Sequence, residues 1–170
     1  YKDCELIYSI EDEPLGTGGA IQYALNKTDS EDVLILNGDT FFEVSLKDMI
    51  SFHKLQESDL TVALKYLEDF DRYNRVLLAD SRILKFEEKQ YNLDGNINGG
   101  IYILKKKILQ DLNFAAKFSF EDDFLKRYFD KIKCHGFIAD GYFIDIGIVQ
   151  DYERGQVELP LIFDLSSERF

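Results

Sequence analysis

What this chain has little of narrows its reading first. Only two cysteines, Cys4 and Cys134, occur in 170 residues. They lie far apart and form no metal or redox spacing, which predicts two ordinary buried thiols in a reducing compartment. Basic residues are scarce: 20 Lys and Arg stand against 32 Asp and Glu, a net charge of -12. That balance excludes a general nucleic-acid or acidic-membrane binder, because phosphates would be repelled on average, although local cations still allow a small phosphorylated ligand. No apolar run reaches membrane-spanning length and no signal peptide opens the sequence, so a soluble, cytoplasmic protein is expected. No repeat, low-complexity tract or Pro/Gly linker divides the chain, and one domain over residues 1–170 is expected. Tryptophan is absent, so aromatic packing falls to 10 Tyr and 14 Phe spread along a chain that is 45% hydrophobic.

What is present is organised around Val33-Leu34-Ile35-Leu36, followed by Asn37-Gly38-Asp39. Four apolar residues in a row predict a strand buried on both faces in the middle of a parallel sheet. Asp39 then stands at its carboxyl end, where open α/β sheets place their ligand crevice. A turn or helix-cap role for the same acid is the structural alternative. A second acid, Asp145, interrupts the apolar run Phe143-Ile144-Asp145-Ile146, a setting that is costly unless the carboxylate is paired or binds a metal.

Glu5-Leu6-Ile7-Tyr8-Ser9-Ile10 reads as a strand, and Leu15-Gly16-Thr17-Gly18-Gly19-Ala20 leads into a helix reaching Asn26. Glycines feeding a helix N-terminus allow a close approach to a ligand, or simply a tight turn in close packing. Ser45 caps a helix carrying Leu46, Met49, Ile50 and His53, with His53 expected to be a partly exposed helix residue rather than a ligand. Strands are predicted at Leu60–Tyr66, Val76–Leu78, Arg82–Lys89, Gly100–Leu104, Lys133–Ile138 and around Ile144. Helices are predicted after Lys105, from Ser119 to Phe129 with a capping-box start, and from Gln150 to Arg154. Residues from Pro160 onward carry little signal.

Taken in order, Glu11-x-x-Pro14-Leu15-Gly16-Thr17-Gly18-Gly19-Ala20, Leu36-Asn37-Gly38-Asp39, Phe86-Glu87-Glu88-Lys89, Asn98-Gly99-Gly100-Ile101-Tyr102 and Phe143-Ile144-Asp145-Ile146-Gly147 resemble the sugar-phosphate nucleotidylyltransferases. Asp69-Phe70-Asp71-Arg72-Tyr73 and Lys117-Phe118-Ser119-Phe120-Glu121 are most similar to the D-glycero-D-manno-heptose 1-phosphate guanylyltransferases within that family, with the mannose 1-phosphate enzymes next. The resemblance implies an α/β fold, a Rossmann-like mixed sheet flanked by helices. It also implies transfer of a nucleotidyl group to a sugar 1-phosphate with release of pyrophosphate, in surface polysaccharide precursor synthesis.

By the same resemblance, Asp39 and Asp145 hold Mg²⁺, Gly16, Thr17 and Gly38 contact the nucleotide, and Glu11 reads the base edge. A carboxylate there accepts guanine's adjacent N1–H and N2–H together, which favours GTP; an exposed acid is the alternative. Glu88, Lys89, Asn98 and Gly99 are the implied sugar-phosphate residues. Asn74 stands where the family usually has glycine, and a left-handed backbone is one way the turn would survive. The family's Gly-rich triphosphate loop and first strand would precede Tyr1. A truncated domain with weak turnover alone and an exposed sheet edge prone to self-association is therefore expected, or a non-catalytic nucleotide-sugar binding or regulatory module.

Overall fold

The computed structural model describes residues 5–167. After an irregular stretch, α1 runs over Gly16–Leu25, β1 over Asp32–Leu36, β2 over Thr40–Phe42 and α2 over Leu46–Leu55. Strands β3 (Leu60–Phe70), β4 (Arg75–Ala79), β5 (Arg82–Phe86) and β6 (Asn92–Lys105) follow, then α3 (Lys106–Gln110). A π-helical segment, Phe120–Leu125, passes into the short α4 (Lys126–Tyr128), before β7 (Cys134–Ala139), β8 (Phe143–Asp145) and α5 (Val149–Ser167).

Six strands form one mixed sheet in the order β1-β6-β3-β7-β5-β4, with β3 and β7 parallel and the other pairs antiparallel; β2 and β8 make a separate two-stranded sheet. The centre is β3, whose Leu60 to Leu64 run is wholly buried. Its alternating side chains serve two cores, as strand geometry requires. Leu60, Val62 and Leu64 join Tyr102, Leu104, Leu25, Leu109, Phe120 and Phe124 on one face. Ala63 joins Phe42, Met49, Ile101 and Ile103 on the other. Helix α2 supplies Met49 to the second face, capped at its start by Ser45, whose Oγ accepts from the Asp48 amide. The α/β mixed sheet flanked by helices is as expected, and the sheet positions the site through a break in β6: Val62 pairs with Tyr102 but Leu64 with Asn98, so Gly99-Gly100-Ile101 bulge opposite a single β3 residue.

Several expectations need correcting. The Val33–Leu36 strand is not central and parallel; β1 is an edge strand, antiparallel to β6, with Leu34 and Leu36 42% and 58% exposed. Only Val33 and Ile35 pack on the core, because a four-residue apolar run does not reveal how many of its faces are covered. Glu5 to Ile10 forms no strand: the backbone is irregular and Leu6, Ile7, Tyr8 and Ile10 are exposed, since among the described residues no strand pairs with this segment. His53 is buried rather than partly exposed, because α2 turns it inward onto Thr61 of β3. Helix α5 continues through Pro160, well beyond Arg154. Cys134 is a buried free thiol, as expected, whereas Cys4 lies outside the described residues.

Candidate active site

The two acids meet through the small sheet. Asp39 follows β1 and precedes β2, while Asp145 closes β8, and these strands pair with Thr40 opposite Asp145. The Ile146 amide donates to the Asp39 carbonyl at 2.9 Å, which closes the join. Alternation along β8 resolves the apparent cost of Asp145: Ile144 points into the core and is fully buried, so its neighbour faces the opposite way, toward the cavity. Asp39 and Asp145 both line a cavity of about 620 Å³.

Asp145 is held closely. Its Oδ1 accepts from the Gly147 amide at 2.8 Å, and a Cβ on Gly147 would lie 2.9 Å from that same oxygen. The Tyr73 phenol reaches Asp145 as well, and its pKa is pushed up to about 12, by burial first and by the Asp145 charge second. The Arg72 guanidinium lies 5.5 Å over the Tyr73 ring and is ion-paired with Asp151 of α5. Asp39 has a looser setting: it is exposed, and its Oδ1 accepts a long 3.4 Å bond from Thr40 Oγ1.

Among the described residues no group of three or more His, Cys, Asp or Glu could hold a metal ion. Two carboxylates on one cavity wall nevertheless suit Mg²⁺, which takes hard oxygen ligands and is commonly held by one or two carboxylates, with water and substrate phosphate completing its shell. Three cations line the same cavity, Arg72, Lys89 and Lys126, beside the carboxylates Asp39, Glu121 and Asp145, so in a protein of net charge -12 this wall is charge-balanced rather than anionic.

On the expected nucleotide side, Gly16 opens α1 with φ +73°, and a Cβ there would sit 2.7 Å from the Phe118 carbonyl oxygen. Tight packing accounts for this glycine by itself. Thr17 and Gly38 line a second cavity of about 610 Å³, which shares Asn37, Asp39 and Glu121 with the first. Glu11 lines neither; its Oε2 accepts from the Leu15 amide at 2.8 Å and so ties down the loop before α1.

On the expected sugar side, Lys89 and Asn98 line the main cavity. Glu88 is exposed and does not line it, but its charge acts on Lys126, which does. Neighbouring Glu87 is taken up by Arg75, at 2.7 Å. Gly99 is buried away from the cavity, where a Cβ would meet the Phe42 ring at 2.4 Å; Gly100, with φ +73°, is the glycine in the wall. Asn74 has no left-handed backbone, and its Nδ2 donates to the Glu87 carbonyl at 2.5 Å.

Sequence reasoning missed Arg72, Tyr73, Glu121 and Lys126 as cavity residues. Glu121 lies in the π-helical segment and Lys126 directly follows it, its amide donating to the Glu121 carbonyl five positions back, a bond that an α-helical reading does not anticipate.

Comparison with known proteins gives the same assignment from another direction. A family model described as Nucleotidyl transferase matches residues 2–160. The D-glycero-alpha-D-manno-heptose 1-phosphate guanylyltransferase of Aneurinibacillus thermoaerophilus is 52% identical over 94% of this chain and 69% of its own length. The protein of the same name from Campylobacter jejuni is 48% identical over 85% of this chain and 63% of its own length. The crystal structure of HddC from Yersinia pseudotuberculosis complexed with GMP-PN superposes with a TM-score of 0.76 at 39% identity, covering 85% of this chain and 62% of that one. The chain thus spans about two thirds of the length of the relatives it matches. With the two acids meeting on one cavity and most of the chain matched by the model, this protein belongs to the nucleotidyl transferase family.

Proposed function

We propose that this domain binds GTP and a sugar 1-phosphate and joins them as a GDP-sugar, with D-glycero-D-manno-heptose 1-phosphate the favoured acceptor and mannose 1-phosphate the second choice. The observation that carries the reading is the pairing of Asp39 and Asp145 on one cavity with Arg72, Lys89 and Lys126 around them. In this reading an oxygen of the sugar phosphate forms a bond to the α-phosphorus of the nucleotide, the bond from that phosphorus to the β-phosphate oxygen breaks, and pyrophosphate leaves. Both reactants are anions, so the protein's task is alignment and charge neutralisation rather than covalent chemistry.

Asp39 and Asp145 would hold Mg²⁺, which when bound supplies charge neutralisation for the phosphates. Lys89 and Arg72 orient the sugar phosphate, and Tyr73 keeps Asp145 aimed at the cavity. Asn98 takes a sugar hydroxyl, beside Gly100 in the same wall. Thr17 and Gly38, in the wall of the second cavity, face the nucleotide, with the Gly16 turn leading into Thr17. For Glu11, the bond to Leu15 leaves Oε1 and a second lone pair on Oε2 for the guanine N1–H and N2–H. The reaction belongs in the cytoplasm, with its nucleotide. Among the described residues no helix is long and apolar enough to cross a membrane. The open β1 edge makes self-association part of this reading, and light scattering at rising concentration checks it.

The test is titration of GTP with and without Mg²⁺ against wild type, Asp39→Asn and Asp145→Asn. The expected outcome is Mg²⁺-dependent binding that falls by about 100-fold or more in either variant, the loss of a charged ligand to the ion. Binding that ignores both Mg²⁺ and the two substitutions would reject the reading.

A further inference from the structure

A carboxylate outside the main cavity holds one of the cations in its wall. Arg72 lines both the main cavity and a third one of about 260 Å³, so its side chain stands between them, whereas Asp151 and Arg154 of α5 line only the third. Arg72 Nη1 donates to Asp151 Oδ2, and Arg154 Nη2 reaches Asp151 Oδ1 at 3.3 Å, so each carboxylate oxygen meets one guanidinium. The Arg72 guanidinium is also held by a face, 5.5 Å over the Tyr73 ring. A guanidinium carries five N–H donors in a fixed fork, and the bond to Asp151 uses one, which leaves others for a ligand in the main cavity.

Helix α5 is itself seated on the strand that ends in Asp145. A Cβ on Gly155 would lie 3.3 Å from Ile146 Cγ2 and 3.4 Å from Ile144 Cδ1, so the helix packs on the two residues that flank the acid. Asp151 is buried in the first turn of this helix, where the helix dipole also favours a carboxylate. One unit, β8 with α5, therefore places Asp145 directly and Arg72 through Asp151, although Arg72 comes from the β3–β4 connection. Lys126 of the same cavity is the contrast. It pairs with Asp122 at 2.8 Å, but that side chain is 68% exposed against 13% for Asp151, and an exposed pair at i,i+4 holds a side chain weakly.

We propose that Asp151 is a positioning residue: it holds the Arg72 guanidinium at the main cavity, so that the phosphate of a sugar 1-phosphate meets a cation already in place. The identity of that phosphate rests on the functional reading above; the holding of Arg72 does not. A long side chain that is free before binding loses its rotamer freedom when the ligand arrives, and a carboxylate that orders it beforehand removes that cost. Because Asp151 occupies one N–H of the fork, carboxylate and phosphate take different donors and do not compete.

Asp151→Asn removes the charge and keeps the shape, and Arg154 retains Glu158 as a partner at 3.7 Å. Nitrogen-15 relaxation of the Arg72 Nε–H should give an order parameter of about 0.8 in wild type and below about 0.6 in Asp151→Asn. An Arg72 equally ordered in both, or mobile in wild type, overturns the proposal whatever the ligands do. Titration of mannose 1-phosphate should show about tenfold lower affinity in Asp151→Asn, the cost of ordering one long side chain at binding, with GTP and Mg²⁺ bound within about threefold of wild type.

Arg72→Gln should lose at least as much affinity for mannose 1-phosphate, and adding Asp151→Asn to it should lose nothing further, because the carboxylate acts through the guanidinium. Additive losses in the double variant, tighter binding in Asp151→Asn, or weakening toward GTP alone would each overturn the proposal. So would a fall in stability to urea with the affinity unchanged, which is the signature of a purely structural ion pair. If wild type binds no mannose 1-phosphate, the functional reading fails, and the relaxation result still decides whether Asp151 holds Arg72.

Discussion

The two acids of the site occupy opposite kinds of surroundings. Asp145 ends a strand whose preceding residue is fully buried, accepts from the Gly147 amide, and is reached by Tyr73. Asp39 leaves an edge strand through Gly38, about which there is open space: a Cβ on Gly38 would meet nothing within 4 Å. One carboxylate is placed by the fold before any ligand arrives, whereas the other has freedom left for a ligand to remove. A site organised in this way combines a fixed reference with an adjustable arm, and the cost of ordering the arm is met when the ligand binds.

Substitution of glycines tests the contrast most severely. A Cβ on Gly141, in the turn leading into β8, would lie 1.9 Å from the Glu43 carbonyl oxygen, a backbone atom that moves only if the β2–β8 pair comes apart. Gly141→Ala should therefore destabilise the protein by about 3 kcal/mol or more, the upper range for overpacking. Gly38→Ala, with open space and no positive φ, should stay within about 0.5 kcal/mol of wild type. Urea denaturation of the two variants side by side checks this, and equal effects would dissolve the distinction between a rigid and a free acid loop.

A smaller effect is expected at the hydroxyl of Tyr73. Tyr73→Phe keeps the ring against Phe143, at 6.0 Å, and removes the group that reaches Asp145. Loss of about 1 kcal/mol of positioning predicts roughly fivefold weaker Mg²⁺-dependent GTP binding, with no change in stability beyond that figure. Titration at fixed Mg²⁺ reads it. The complementary variant on the other acid, Thr40→Val, removes only the 3.4 Å bond to Asp39 and should alter binding less. A reversed order would mean that Asp39, not Asp145, is the preset group.

The same contrast explains what could be read without coordinates. The Asp145 side was legible because an acid between two isoleucines is costly and demands a partner, a local signal that the alternation of β8 then resolves. The Asn98-Gly99-Gly100 stretch was legible as a close backbone approach, although which glycine faces the cavity depends on the bulge register set by β3. The β1 edge was misread because Val33 to Leu36 are all apolar, and only the sheet order says that one face of the strand stays uncovered. Arg72, Glu121 and Lys126 were invisible as a group because 48 residues lie between Arg72 and Glu121 and nothing local ties those two together. Residues that meet only through long-range pairing leave no spacing to read.

The smallest expected effect concerns two buried histidines, His53 of α2 and His135 of β7. His53 Nδ1 is bonded to Thr61 Oγ1 at 2.8 Å, and His135 Nδ1 to Ser58 Oγ at 2.8 Å. Burial pushes both imidazoles below their ordinary value of 6.5. The unfolded chain therefore takes up protons that the folded one refuses, so the stability due to the neutral rings is fully present above pH 6.5 and declines as the pH falls through the depressed folded values. The two sites should differ in degree. His53 Nε2 lies 3.7 Å from Asp32 Oδ1 at the start of β1, and that carboxylate offsets part of the burial cost of a protonated ring. For His135 the positive charges of Arg82 and Lys133 add to burial instead, with Asp59 the only opposing group identified. Melting temperature should consequently fall between pH 7 and pH 5 in wild type. The fall should flatten more in His135→Gln than in His53→Gln, with Asp32→Asn steepening the His53 contribution. A melting temperature independent of pH over that interval, or equal flattening in the two variants, would show that the edge carboxylate does not distinguish the two histidines.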